Sequence, residues 1–198
     1  MKNHLLRGTL SLIVAIILCI GICGTGMAAD KPTKLLYATF DPPMGPWAGA
    51  MKNWAKDIET RTNGRVKVEI SWAGVLGKGP ELFNVVRKGV ADAVNLQPGL
   101  VPGLFPMSDF ISLPWIIDTG EIGGKALLEF RKRGYLDKEY KDVIILILYT
   151  GTGDPIFTKN KPVRTLKDLS GMKLFAAGPA SQKRIKLMGG VPTMLSSA

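Results

Sequence analysis

Cysteine and histidine are almost missing from this 198-residue chain, and their placement decides which chemistry is open to it. Cys19, Cys23 and His4 all sit in one N-terminal stretch, which also carries Lys2 and Arg7 ahead of an uncharged apolar run over residues 10–22. A basic start, a short apolar run and a small-residue exit at Gly26, Ala28 and Ala29 read as a secretory signal peptide. The run is shorter than the ~20 residues a spanning helix needs. Residues 1–28 are therefore expected to be a signal, with cleavage near Ala28/Ala29 and an exported product. Lipidation at Cys23 is one alternative, although Ile22 is larger than the residue that usually precedes a lipidated cysteine. A retained N-terminal anchor is the other.

With that segment gone, neither Cys nor His remains. Ser-His-Asp and Cys-His nucleophile systems, His- or Cys-based zinc sites, histidine-ligated haem and disulfides are all excluded. An all-carboxylate metal site or a carboxylate pair stays open in principle. An exported chain without disulfides must also hold itself together by its core alone. Acids are scarce too: 16 Asp and Glu face 26 Lys and Arg, a formal charge of +10 that loses the two positive residues of the signal. The densest basic group, Arg131-Lys132-Arg133, is not interleaved with aromatics. The charge predicts a surface biased toward anionic solutes, with nucleic acid not expected as a partner of an exported chain. No internal repeat or low-complexity segment is present.

Along the chain, residues 35–40 predict a strand that stops at Asp41-Pro42-Pro43. Trp47, Met51, Trp54 and Ile58 recur at helical steps and predict an amphipathic helix ending near Asn63-Gly64, with Trp47 and Trp54 in the core. Val66, Val68 and Ile70 alternate with Lys67 and Glu69 as in a half-buried strand. A loop through Gly74, Gly77 and Gly79 leads to Pro80 and a helix through Leu82, Val85 and Val86, and residues 91–96 predict the next strand. This β-α-β-α-β order argues for a parallel sheet with helices packed on it. Residues 97–115, rich in proline and glycine, predict an irregular surface crossing. Asp118 and Glu121 form a D-x-x-E box opening a helix to about Gly134. The uniformly apolar 143–149 (VIILILY) predicts a central strand covered on both faces, and 156–159 a further short strand.

The stretch KPVRTLKDLSGMKLFAAGP (161–179) holds the densest local signals. Thr165 and Asp168 form a T-x-x-D capping box, Leu166 and Leu169 its apolar face, and Gly171 closes the turn. Residues 172–176 predict a strand, broken by Gly178-Pro179 before another helix. Such a passage delivers residues 175–177 to the carboxyl end of a strand, where ligands bind in α/β sheets.

Candidate chemistry is modest. The Gly74–Gly79 loop could cradle an anion but lacks the Walker lysine and the Rossmann spacing, so a plain turn is favoured. Trp72, ending a strand, is a cleft candidate. Asp41 and Asp154 follow strand ends and could serve as a catalytic pair or cation ligands. Each also precedes a proline in ordinary turn chemistry, and no base, nucleophile or cofactor loop accompanies them. Neither an enzyme nor a cofactor is expected.

Four stretches, 60–93, 98–115, 161–178 and GGVPT at 189–193, together resemble the extracytoplasmic solute-binding subunits of tripartite ATP-independent periplasmic (TRAP) transporters, of the DctP type. The resemblance implies a two-lobed α/β periplasmic binding protein fold, type II-like, with lobe I over 29–120 and a crossover and partial lobe II over 121–198. It implies that the lobes close on a small organic solute, commonly a carboxylate. The solute then passes from the periplasm to small and large integral-membrane permease subunits driven by an ion gradient. By matching position, it places Thr39, Phe40, Asp41, Trp72, Gln97, Thr152, Gly153, Asp154, Phe175 and Ala177 at the solute, with no metal and no covalent step.

Two departures accompany the resemblance. Phe175 stands where such proteins usually carry an arginine that forks onto the solute carboxylate. Either the solute is apolar, aromatic or neutral, or another cation such as Arg184 or Lys173 serves, or this chain no longer binds; a core role for Phe175 is also open. The chain also stops where a further helix is expected, so the second lobe is expected to be incomplete, the long bracing helix absent, and 143–149 short of neighbouring strands.

Overall fold

The computed structural model describes residues 31–113, 115–151 and 155–193. The signal segment and the 152–154 turn lie outside them. The first half forms a three-stranded parallel sheet in the order β2-β1-β3, built from β1 (Thr33–Ala38), β2 (Val66–Ser71) and β3 (Ala93–Val94). In register, Leu35 faces Val68 and Tyr37 faces both Ile70 and Ala93. Helix α1 (Ala48–Arg61) connects β1 to β2, and α2 (Leu82–Arg87) connects β2 to β3. The β-α-β-α-β order read from periodicity is therefore the order observed. Strand β3 is shorter than the 91–96 expected, and β1 begins and ends two residues early.

The core of this sheet is Ala38, Leu82, Val85 and Ala91, with Leu36, Phe40, Leu76 and Val94 packed against it. Burying a side chain such as Leu82 contributes ~1.5–3 kcal/mol through apolar area removed from water. The Gly74–Gly79 loop is a hydrogen-bonded turn, the Gly77 N–H donating to the Gly74 carbonyl and the Gly74 N–H to that of Thr39. Trp54 packs on Tyr37 with ring centroids 5.4 Å apart, as its spacing predicted. Trp47 does not join the core. It is about half exposed and its ring meets Tyr149 instead.

Residues 98–112 are less irregular than expected, with 3-10 turns at Pro98–Leu100 and Phe110–Ser112 flanking a single turn of helix, α3 (Pro106–Asp109). Phe105, buried just before α3, packs its ring between Phe83 and Tyr140. Glu139 caps α3 by accepting from the backbone N–H groups of Met107 and Ser108 and from the Ser108 hydroxyl. Helix α4 (Gly120–Lys132) is capped by Thr119, whose hydroxyl oxygen accepts from Ile122 N–H, rather than by Asp118.

The largest departure from expectation is 143–149. No strand forms there among the described residues, and Ile144, Leu146 and Ile147 are each at least two-thirds exposed. An apolar run becomes a central strand only where flanking strands and covering helices exist, and the described residues supply neither beside it. Residues 155–160 likewise form no strand.

A second, two-stranded parallel sheet pairs β4 (Lys173–Phe175) with β5 (Val191–Thr193), connected by α5 (Pro179–Leu187). The capping box ahead of it is observed: Asp168 Oδ2 accepts from the Thr165 N–H, the Thr165 hydroxyl and the Arg164 N–H. Those bonds, the Arg164 N–H first, hold the Asp168 carboxyl below the usual range. Leu169 is buried, but Leu166, at the first position of the 3-10 turn, is exposed, so the expected two-leucine apolar face reduces to Leu169 alone. Gly171 closes the turn at φ +69°, as predicted. At Gly178 a Cβ would come within 2.8 Å of the Gly99 carbonyl oxygen, so the absence of a side chain lets the start of α5 seat against the 98–100 turn.

Candidate functional site

Three parallel strands end side by side, and open α/β sheets hold ligands outside the carboxyl ends of their strands. A polar chain occupies that end. Thr39, the residue after β1 and itself 1% exposed, donates its hydroxyl to Asp41 Oδ2 at 2.7 Å and accepts the Asp41 N–H at 3.1 Å. Asn95, the residue after β3, donates its amide to the same Oδ2 at 2.8 Å. Tyr149 donates its hydroxyl to Asn95 Oδ1 at 3.2 Å. The Asp41 carbonyl accepts from Ala73 N–H, which ties the residue after Trp72 to the same point.

Aromatic side chains flank this chain. Trp47 and Tyr149 meet with centroids 5.7 Å apart, and the Lys52 ammonium lies 5.6 Å from the Trp72 ring. Burial, reinforced by the neighbouring Tyr149 and Asp41, pushes the Tyr37 phenol up to about 12. Tyr149 is raised as well, by burial of its hydroxyl and then by Asp41. Both phenols are neutral at physiological pH, so Asp41 and the solvated lysine supply the formal charge here.

The sequence-predicted residues fall into three groups. Thr39, Asp41 and Trp72 come together at the strand ends. Phe40 is half-buried on the core of the first sheet, and Gln97 is exposed at the start of the 98–100 turn, where its carbonyl accepts from Leu100 N–H. Phe175, about 60% exposed, and Ala177 lie at the end of β4 in the second sheet, joined to the first by the approach of Gly178 to Gly99. Thr152, Gly153 and Asp154 lie outside the described residues. Asn95 and Tyr149 escaped the sequence reading. An asparagine just past a predicted strand end was the available signal for the first, and the last residue of VIILILY, the run's only hydroxyl, for the second.

Charge is unevenly shared. Residues 155–193 carry eight Lys and Arg against one acid, Asp168, which is committed to its capping box. Arg184, in α5, donates to the Ser112 carbonyl at 3.3 Å. Among the described residues no cluster of three or more His, Cys, Asp and Glu could hold a metal ion. An open hollow of about 350 Å³ lies elsewhere, between the end of α4 and 143–145, and shares no residue with the polar chain.

Comparison with known proteins places this geometry in a family context. The sequence pattern of DctP, bacterial extracellular solute-binding protein, family 7, matches residues 37–198. A solute-binding protein of Chromohalobacter salexigens is 28% identical over 145 residues, 67% of this chain and 40% of that protein. Among solved structures, a TRAP solute-binding protein from an unidentified marine microbe, specific for aromatic acid ligands and bound to 3-hydroxybenzoate, is 30% identical with a TM-score of 0.75. The match covers 84% of this chain and 52% of that one. A TRAP solute-binding protein from Rhodoferax ferrireducens, in complex with copurified benzoate, is 28% identical with a TM-score of 0.73, covering 82% and 51%. The chain spans about half the length of the relatives it matches.

Proposed function

This chain belongs to family 7 of the bacterial extracellular solute-binding proteins, the DctP type of TRAP transporters, and from that premise we propose that it binds an aromatic organic acid in the periplasm for delivery to membrane permease subunits. Its fold is that of the two-lobed TRAP periplasmic binding proteins. We assign lobe I to 29–120 and the crossover and partial lobe II to 121–198, behind a signal cleaved near Ala28/Ala29. No covalent step is involved: the solute selects a closed arrangement of the lobes, and the permease takes it from there.

One observation carries the choice of an aromatic solute: the polar chain from Thr39 to Tyr149 is flanked by Trp47, Trp72 and Tyr149 rather than by a forked cation. A planar ring fits such walls through stacking and edge contacts. Phe175, in place of the family's usual arginine, adds a further exposed ring at the end of β4. The two relatives described above bind benzoate and 3-hydroxybenzoate, which supports the same class.

Calorimetric titration of the purified protein with benzoate, a short aliphatic carboxylate and a neutral sugar tests the reading. Saturable one-to-one binding of benzoate, tighter than that of the other two, is the expected result. Preference for the aliphatic acid or the sugar, or binding of none of the three, would overturn it.

A further inference from the structure

The chemistry at Asp41 says more about the solute than its ring. Both side-chain bonds to this carboxylate arrive at one oxygen, Oδ2, from the Thr39 hydroxyl and the Asn95 amide. Oδ1 takes no bond from the described residues. Since no buried side-chain oxygen or nitrogen among them lacks a partner, Oδ1 opens on solvent. Asp41 also takes part in none of the ion pairs found among the described residues. The donors around it are already committed: Thr39 and Asn95 to Oδ2, and Tyr149 to Asn95. What remains at these strand ends is an anionic acceptor.

A solute carboxylate placed there would meet a like charge, and the nearby Lys52 ammonium, over the Trp72 ring, is held by the Pro43 carbonyl rather than by Asp41, so the acid group is not what docks on Asp41. The excess of positive charge lies in the segment of the second sheet, where 155–193 carries eight Lys and Arg against one acid. We propose that the solute carries a hydrogen-bond donor on its ring, a hydroxyl or an amino group, that docks on Asp41 Oδ1, with its carboxylate turned toward the basic 155–193 segment. The protein then selects ring acids bearing a donor over the unsubstituted acid. This inference rests on the aromatic-acid reading above.

A hydrogen bond to a charged acceptor discriminates by about tenfold to a hundredfold when its partner is missing. The experiment compares benzoate, 3-hydroxybenzoate, 3-aminobenzoate and 3-methoxybenzoate by calorimetry, with the wild-type protein and with Asp41→Asn. In the wild type, the hydroxy and amino acids should bind at least about tenfold tighter than benzoate and the methoxy acid, which offers only an acceptor. In Asp41→Asn, whose amide keeps one acceptor oxygen for Thr39 and Asn95 and presents N–H groups outward, that gap should close or reverse in favour of the methoxy acid. The wild-type comparison stands by itself if the variant does not fold. Equal affinity for benzoate and 3-hydroxybenzoate in the wild type would overturn the inference and leave the aromatic-acid reading standing. An undiminished preference for the hydroxy acid in folded Asp41→Asn would remove Asp41 from the role. Binding of no aromatic acid at all would sink both.

Discussion

Replacing Phe105 by alanine should destabilise the protein by about 3–5 kcal/mol, the range for deleting a fully buried aromatic side chain. Phe105 is 1% exposed, and its ring sits edge-on to Phe83 at 4.9 Å and against Tyr140 at 5.1 Å. It thereby fastens three parts of the chain that are distant in sequence: the helix leading into β3, the 98–112 crossing, and the segment after α4. Truncation removes the transfer energy of the ring and leaves a cavity between two other rings that cannot easily collapse. Glu139 depends on the same packing, since it caps α3 one residue beyond Phe105. Urea denaturation followed by fluorescence gives the number. A loss below about 1 kcal/mol, the scale of an ordinary surface change, would contradict the position assigned to this ring.

Asn95→Asp is the second large effect, and it depends on pH. The substitution is nearly isosteric, so Tyr149 can still donate to the side chain. It replaces the amide that donates to Asp41 Oδ2 at 2.8 Å with a second carboxylate. Two carboxylates that close cannot both ionise cheaply, and one proton is retained well above the usual carboxylate range. A folded-state pKa raised by one to two units corresponds to about 1.4–2.7 kcal/mol. The sign follows from linkage: between the unfolded and the raised folded pKa the native state holds more protons, so stability falls as pH rises through that window. Relative to wild type, the variant should be about 2 kcal/mol less stable at pH 7 and should recover most of that loss by pH 4. Denaturation midpoints at the two pH values check this. A deficit that is the same at both would mean that residues 41 and 95 do not meet.

The sequence was most legible where a signal is local. The Thr165–Asp168 box, the positive φ of Gly171 and the alternation over Val66–Ser71 each involve partners within a few residues, and all appear as read. So does the parallel β-α-β-α-β unit, whose periods are set by which face is buried. A one-residue ambiguity was resolved the other way: Asp118 and Thr119 both offer a capping oxygen, and it is Thr119, with the extended φ, ψ that an N-cap requires, whose hydroxyl accepts from Ile122 N–H.

Legibility failed where the outcome depends on partners far along the chain. VIILILY has the composition of a central strand, but a strand exists only through its neighbours, and none flanks 143–149 among the described residues. Trp47 keeps helical step with Trp54, yet it lies at the residue preceding α1 and turns to Tyr149 instead of the sheet. Asn95 and Tyr149 could not be found by pattern at all. Asn95 reaches Asp41 across 54 positions, and Tyr149 reaches Asn95 across 54 more. A hydrogen-bonded polar chain does form at the strand ends. Which side chains converge there is set by topology rather than by spacing.

The central claim is that a ring-bearing acid sits at the carboxyl ends of β1, β2 and β3, against Trp47 and Trp72. The chain has four tryptophans, so its indole N–H signals can be assigned by single Trp→Phe replacements and followed during titration with benzoate. The account predicts saturable shifts of the Trp47 and Trp72 signals with a common dissociation constant, and a much smaller change at Trp54, which packs on Tyr37. Saturable binding that leaves the Trp47 and Trp72 signals in place would contradict it.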